Sequence, residues 1–153
     1  ICWDNSFGTE PWSFLASGGA GPGYGVQGSV DHTSGSGNFA WIDASGNIGT
    51  NELITADIDI SLLSISLVGF WILSNNDDNT AQNAIELSYW DGAAWALLTS
   101  YAGDNANWVE ISDTLPPTAP TTTRFRLVQT NTLVGSAFYN DLLVVFFQVF
   151  QKF

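Results

Sequence analysis

The chain has 153 residues, of which 45% are hydrophobic and 14% aromatic, enough apolar material for one domain with a sizeable core. Only 3 lysines and arginines stand against 15 aspartates and glutamates, so the net charge is −12. Nucleic acids and anionic membrane surfaces are bound by clusters of cations, and three cations cannot form one of useful size. Apolar runs such as Leu142 to Phe147 are far shorter than the roughly 20 residues of a membrane-spanning helix. We therefore expect one domain over residues 1–153, with no nucleic-acid partner and no membrane insertion.

Signals for helices are nearly absent. Short segments rich in β-branched and aromatic residues recur between clusters of glycine, asparagine, aspartate, serine and proline. This spacing is typical of an all-β protein. We predict the fold class as all-β, a jelly-roll-like antiparallel β-sandwich. The predicted strands cover residues 1–7, 38–44, 50–56, 62–74, 83–91, 95–102, 107–112, 122–130 and 138–150.

Residues 8–37 interrupt this pattern with a long segment rich in glycine. Long irregular segments inside a compact domain are commonly functional or packed on the domain surface. We expect Trp12, Phe14 and Tyr24 within this segment to pack against the sandwich.

The segment 123–128 alternates polar and apolar side chains, as a half-buried strand does. Phe125 and Leu127 are expected to face the core. Arg124 and Arg126 are expected to point into solvent on the opposite face.

Two other strands are apolar on both faces, over residues 65–73 and 142–147. Such a strand has to be covered on both sides, by another part of the chain, by another subunit or by an apolar ligand. We expect the segment 8–37 to cover the first strand. The second is a candidate contact surface. The candidate ligand or interface residues are Trp71, Leu143, Val145, Phe147, Val149 and Phe150.

Several motifs occur in an ordered series along the chain. Asp31-His32-Thr33 is followed by a strand from Phe39 to Ser45, then by Leu67-Val68-Gly69-Phe70-Trp71, an Asp91-Gly92 hairpin, and Thr123-Arg124-Phe125-Arg126. This series resembles MAM domains, the extracellular β-sandwich modules of meprins and receptor tyrosine phosphatases. The resemblance implies a secreted, extracellular module. It departs from the family in lacking a second cysteine before the strand that contains Trp71.

The resemblance also implies a cation site. If the first and last strands pair as in the family, Asp4, Asp31 and Asp141 approach one another, and carboxylates are ligands that Ca²⁺ prefers. These three residues are therefore the candidate calcium ligands, with calcium as the candidate cofactor. The oxygen-rich segment 75–79 is a second calcium candidate.

The chain contains one histidine, His32, and one cysteine, Cys2. A zinc site needs several such ligands, and no nucleophile motif accompanies the histidine. We therefore predict a non-catalytic protein in which His32 has a structural role. The chain begins at Ile1 and contains no methionine, which we interpret as a mature secreted chain.

Three functions remain open. The first is an extracellular module that self-associates or adheres as a homo-oligomer or with related subunits. The second is a carrier of an apolar small molecule such as a carotenoid, retinoid or lipid, since aromatic and aliphatic walls suit such ligands. The third is a carbohydrate-binding jelly roll that holds glycans on tryptophan side chains. The candidates for sugar stacking are Trp12, Trp41, Trp90, Trp95 and Trp108.

Overall fold

The structure, a computed structural model, describes residues 3–8, 12–16, 30–42, 49–64, 66–74, 84–102, 107–131 and 142–151. The regular elements among them are all β-strands, and all their pairings are antiparallel, which confirms the predicted fold class. The strands are β1 (Trp3–Gly8), β2 (Ser13–Ala16), β3 (Asn38–Ile42), β4 (Gly49–Thr55), β5 (Ile58–Asp59), β6 (Ser66–Ser74), β7 (Ala84–Trp90), β8 (Trp95–Ala102), β9 (Val109–Thr114), β10 (Thr122–Thr123), β11 (Phe125–Asn131) and β12 (Leu142–Gln151). Within these residues no helix is long and apolar enough to cross a membrane.

The strands form two five-stranded sheets and one two-stranded sheet. The first has the order β1-β4-β11-β7-β8 and is called the β11 sheet after its central strand. The second has the order β2-β3-β12-β6-β9 and is called the β12 sheet, and β10 pairs with β5 in the third. Both large sheets contribute to one buried core. Its members include Ala40, Ile42, Val68, Phe70, Ile72 and Val144 from the β12 sheet and Leu53, Ile85, Leu87, Tyr89, Phe125 and Leu127 from the β11 sheet.

Strand β6 shows why a segment can be apolar on both faces. Val68, Phe70 and Ile72 are almost completely buried in the core between the sheets. The alternate side chains Trp71 and Leu73 belong to a separate apolar cluster. Because alternate side chains of a strand point to opposite faces, this second cluster lies on the face of the β12 sheet that points away from the core.

A bulge in β12 divides that strand into two parts. Val145 pairs with Trp71, but Gln148 pairs with Gly69, so β12 has one residue more than β6 between these pairs. A bulge reverses the alternation of faces beyond it. Val149 therefore lies opposite Val68 and packs against the core, not on the face predicted from simple alternation with Leu143.

The described residues of the first and last strands do not pair with each other, so the strand pairing on which the calcium site was based is not found there, and calcium at Asp4, Asp31 and Asp141 stays a prediction. Strand β1 pairs with β4 at the edge of the β11 sheet, whereas β12 lies between β3 and β6 in the other sheet.

Strand β2 lies in the segment 8–37, where the sequence predicts no strand. In that segment Trp12 is buried as predicted, Phe14 is 47% exposed contrary to prediction, and Tyr24 lies outside the described residues.

Gly8 is required where β1 pairs with β4. Its φ angle is +111°, and a Cβ there would lie 2.5 Å from the Thr50 carbonyl oxygen and 2.7 Å from the Asn51 Cα. Gly35 also has a positive φ, +69°, but a Cβ there would meet nothing within 4 Å. We expect Gly8→Ala to lower the free energy of unfolding by more than Gly35→Ala, because only the first adds a backbone clash to a conformational cost of about 1–2 kcal/mol. Urea denaturation of both variants measures this difference, and equal losses would contradict it.

Candidate functional site

A second apolar cluster covers the face of the β12 sheet that points away from the core. We call this cluster the aromatic face. Phe39 and Leu73 are buried in it, and the other members are partly exposed. Its residues are Leu15, Phe39, Trp41, Trp71, Leu73 and Trp108.

The strand register explains how these residues meet. Leu15 on β2 pairs with Phe39 on β3. On the other side of the sheet, Trp71 on β6 pairs with Glu110 on the edge strand β9. Paired residues of neighbouring strands share a face, so the cluster extends across the sheet.

Two of the predicted interface residues of β12 pair with members of the aromatic face on the neighbouring strands. Leu143 pairs with Trp41 on one side and Leu73 on the other, and Val145 pairs with Trp71. The structure thus places the backbone of these two residues in line with the aromatic face.

The remaining predicted residues of β12 lie at the bulge or beyond it. Phe147 lies in the bulge, Phe150 is half-buried opposite Leu67, and Val149 packs against the core. Val149 therefore lies on the opposite face of the sheet from Trp71, whereas Phe150, paired with Leu67, lies on the same face as Trp71, and a ligand or interface role of the six residues stays a prediction.

The turn at residues 30–37, which precedes β3 and contains His32, folds over the aromatic face. The indole Nε1 of Trp108 donates a hydrogen bond of 3.1 Å to the carbonyl oxygen of Val30. The imidazole of His32 stacks on the indole of Trp71, with ring centroids 3.6 Å apart and planes 15° from parallel. The same imidazole meets the Trp108 ring edge-on at 6.3 Å. Three aromatic rings, from the turn, from β6 and from the residue before β9, thus pack together.

Asp31 holds this turn in shape. Its Oδ2 accepts hydrogen bonds from the backbone N–H and the hydroxyl of Ser34, both at 2.7 Å, and its carbonyl oxygen accepts one from Gly35 at 2.9 Å. A Cβ at Gly37 would lie 2.9 Å from Oδ2, so only glycine fits there without a shift. Burial would raise the pKa of Asp31, but hydrogen bonds from the side chain of Ser34 and from the backbone of Ser34, Thr33 and Gly37 lower the pKa below 3.8.

This lowered pKa makes the turn sensitive to acid. A carboxyl with a lower pKa in the folded than in the unfolded state stabilises the fold above its unfolded pKa, and the stabilisation is lost as the pH falls through the folded value. We expect Asp31→Asn to reduce the free energy of unfolding by about 1–2 kcal/mol at neutral pH, since hydrogen bonds to a charged acceptor are weakened. Urea denaturation of both proteins from neutral pH down to about pH 2 should show this difference shrinking. A difference that is independent of pH would contradict the role of the Asp31 carboxylate.

The predicted calcium ligands are not brought together by the strands that the structure describes. Asp4 is exposed on β1 of the β11 sheet, whereas Asp31 is buried in the turn before β3 of the other sheet. Asp141 and the second candidate segment, 75–79, lie outside the described residues. Among the described residues, no group of three or more acidic, histidine or cysteine side chains could hold a metal ion.

Polar groups border the aromatic face. Glu110 and Ser112 are exposed on the edge strand β9 and pair with Trp71 and Gly69. The indole Nε1 of Trp41 is buried and has no acceptor among the described residues. The site therefore combines aromatic rings with groups that can form hydrogen bonds.

A separate cavity of about 360 Å³ lies beside the two-stranded sheet. It is lined by serines, threonines, prolines and small aliphatic residues between Ile60 and Ser66 and between Thr114 and Thr121. None of these described lining residues is aromatic, so the cavity differs from the aromatic-lined pocket predicted for an apolar carrier.

Sequence reasoning identified Trp71 but did not single out its neighbours. Trp41 and Trp108 were two of several candidates for sugar stacking, and Phe39, Leu15 and the stacked His32 were not assigned to the site. The alternation of Phe39 with Trp41, and of Trp71 with Leu73, is a signal for two strands that share an aromatic row. Which strands are neighbours depends on the topology, which the pattern does not contain.

No protein-family model matches this sequence, and no curated protein matches it. Solved structures do resemble the fold. The carbohydrate-binding module TmCBM61, solved in complex with β-1,4-galactotriose, is 13% identical, with a TM-score of 0.56 over 93% of this chain and 89% of that chain. A structure from work on the promiscuous specificity of carbohydrate-binding modules of the β-sandwich superfamily is 16% identical, with a TM-score of 0.61 over 98% of this chain. The K1 cleaved adhesin domain of Lys-gingipain from Porphyromonas gingivalis is 13% identical, with a TM-score of 0.55 over 99% of this chain and 98% of that chain.

At these identities the similarity establishes a β-sandwich fold. The chain spans only 56% of the second of these structures. None of the three is named as a MAM domain, and that resemblance stays a prediction.

Proposed function

We propose that this protein is a non-catalytic carbohydrate-binding protein that acts outside the cell and holds a neutral glycan on the aromatic face. The observation that carries the proposal is the stack of His32 on Trp71 beside Trp108. A flat group at 3.6 Å already occupies one face of this indole. Because His32 is an exposed side chain on a turn, a sugar ring can take its place.

The chemistry of the face suits a sugar. The C–H faces of a sugar ring are apolar and pack on indole rings, whereas its hydroxyl groups need hydrogen-bond partners at the ring edge. Trp41, Trp71 and Trp108 are partly exposed and supply the indole surface. Glu110 and Ser112 provide exposed hydrogen-bonding groups at the border.

The indole of Trp41 adds a second reason. A buried donor without an acceptor costs about 1–3 kcal/mol, so such groups are rare in folded proteins. The Nε1–H of Trp41 is in this state among the described residues. The oxygen of a sugar hydroxyl can accept this hydrogen bond if the side chains around Trp41 move apart to admit the sugar.

The other two functions are less well supported. Self-association was inferred from strands that are apolar on both faces, and for β6 the second face is the aromatic face, on which the His32 turn packs. The cavity beside the two-stranded sheet contains hydroxyl groups and no aromatic wall among the described residues, unlike a site for a carotenoid or retinoid. The structural likeness to carbohydrate-binding modules agrees with the glycan proposal.

Affinity electrophoresis tests the proposal. The protein should migrate more slowly through native gels that contain a neutral polysaccharide, and a panel of β-1,4-galactan, β-glucan and β-mannan identifies the preferred backbone. Light scattering on the same sample reports whether the mass is 16.5 kDa or a multiple of it. Unchanged mobility in every gel, together with a multiple of the chain mass, would favour self-association and contradict glycan binding.

A further inference from the structure

Two of the three cations of the chain lie side by side on the outward face of the other large sheet. Arg126 on β11 pairs with Ser88 on β7, which in turn pairs with Leu97 on β8. Ser88 is only 3% exposed although it lies on this outward face, and Leu97 is 58% exposed. Because the side chain of Ser88 is small, side chains from β8 and β11 can meet over it on the outward face of β7.

Arginine and tryptophan form this layer. The guanidinium of Arg126 lies 4.7 Å from the ring centroid of Trp95, and that of Arg124 lies 5.2 Å from Trp90 and 5.7 Å from Trp95. The two indoles meet edge to face at 5.5 Å. These distances are those of cation–π contacts. Both arginines are half-buried, which corrects the expectation that they point freely into solvent. We call these four residues the Arg–Trp cluster.

The two guanidinium groups differ in their electrostatic partners. Arg126 donates to the carboxylate of Glu52 at 3.2 Å, which forms an ion pair across the sheet. Arg124 makes no ion pair and no side-chain hydrogen bond with any residue that the structure describes. Stacking uses the flat face of a guanidinium and leaves the N–H donors at its edge, which match a carboxylate in a two-point contact.

A guanidinium that has no ion-pair partner among the described residues is unexpected in a chain with a net charge of −12. Acidic side chains are abundant, yet none of those described is within ion-pair distance of Arg124. The nearby hairpin carboxylate, Asp91, instead accepts hydrogen bonds from the backbone N–H groups of Ala93 and Ala94 at 2.8 and 2.7 Å. The Nε of Arg124 is buried without a hydrogen-bond partner among the described residues, so its terminal guanidinium N–H groups are the donors left for an anion from outside the described chain.

We propose that the Arg–Trp cluster is a second binding site, which takes a sugar that carries a carboxylate, such as a hexuronate unit of an acidic glycan. The edge of Arg124 binds the carboxylate, and the half-exposed indoles of Trp90 and Trp95 pack against the sugar ring. The combination of a cation with adjacent indole surface favours an acidic sugar over an isolated carboxylate or an acidic peptide. This site lies on the opposite sheet from the aromatic face, so it does not depend on the function proposed above.

The test compares matched ligands by the NMR signals of the seven tryptophan indole N–H groups. Trigalacturonate is titrated against wild-type protein, and galactotriose is its neutral counterpart. We expect trigalacturonate to shift the signals of Trp90 and Trp95 and to bind more weakly as the salt concentration rises, since exposed charges are screened. Arg124→Gln should weaken this binding by about tenfold, because a charge-assisted contact is lost.

One further variant and one further ligand decide the outcome. Arg124→Lys keeps the charge but not the two-point contact, so binding should be intermediate. Unchanged signals of the core residues Trp3 and Trp12 show that each variant is folded. Failure of trigalacturonate to move Trp90 and Trp95, or equal binding of oligoglutamate, would overturn the proposal. A response of Trp41, Trp71 and Trp108 to the neutral sugar is a separate result, so the two proposals can fail independently.

Discussion

Phe125→Ala is expected to lower the free energy of unfolding by about 3–5 kcal/mol, as large-to-small changes in a packed core do. Phe125 is fully buried, and it lies opposite the buried Tyr89 on β7. Its backbone N–H also donates to the hydroxyl of Thr55 on β4 at 2.9 Å, so the residue lies where three strands meet. For a chain of this size the melting temperature should fall by roughly 10 °C. Thermal and urea denaturation measure both quantities.

Leu97→Ala is the matched control for this substitution. Leu97 is a large apolar side chain on the same sheet, but it is 58% exposed. Surface substitutions of this kind change stability by about 0.5 kcal/mol or less. Similar losses in the two variants would mean that the core between the two sheets is not where the structure places it.

Trp71→Ala is expected to weaken binding of a neutral oligosaccharide by about tenfold or more. The variant removes the indole on which a sugar ring would replace His32, and aromatic contacts of this kind contribute about 0.5–1.5 kcal/mol beyond the buried area. Isothermal titration with the preferred oligosaccharide from the gel panel gives the change in affinity.

Trp95→Phe on the opposite sheet is the control for this second prediction. It replaces an indole of the Arg–Trp cluster with the smaller phenyl ring and leaves the aromatic face intact. Its affinity for the neutral sugar should equal that of the wild type. If Trp71→Ala binds as tightly as the wild type while Trp95→Phe binds more weakly, the glycan lies on the β11 sheet and the assignment to the aromatic face is wrong.

Local patterns in the sequence were sufficient to predict most strands. The alternation around Phe125 and Leu127 matches their complete burial, and the Asp91-Gly92 pair predicts the hairpin between β7 and β8. The φ angle of Gly92 is +104°, the conformation for which glycine is suited. Features that depend only on neighbouring residues can be inferred without a structure.

Features that depend on strand neighbours could not be predicted in this way. The pairing of β1 with β4 joins residues about 50 positions apart, and no local pattern distinguishes it from a pairing with β12. The bulge that turns Val149 into the core adds a single residue and leaves the composition unchanged. The contact of His32 with Trp71 and that of Arg126 with Trp95 likewise arise from tertiary packing.

The most direct test of glycan binding on the aromatic face uses the seven indole N–H signals of the wild-type protein. These tryptophans divide into three groups: Trp41, Trp71 and Trp108 on the aromatic face, Trp90 and Trp95 in the Arg–Trp cluster, and Trp3 and Trp12 against the core. Titration with the preferred neutral oligosaccharide should shift the signals of the first group and leave those of Trp3 and Trp12 unchanged. Saturable binding that leaves the first group unchanged, or no binding of any neutral glycan, would contradict the proposed function.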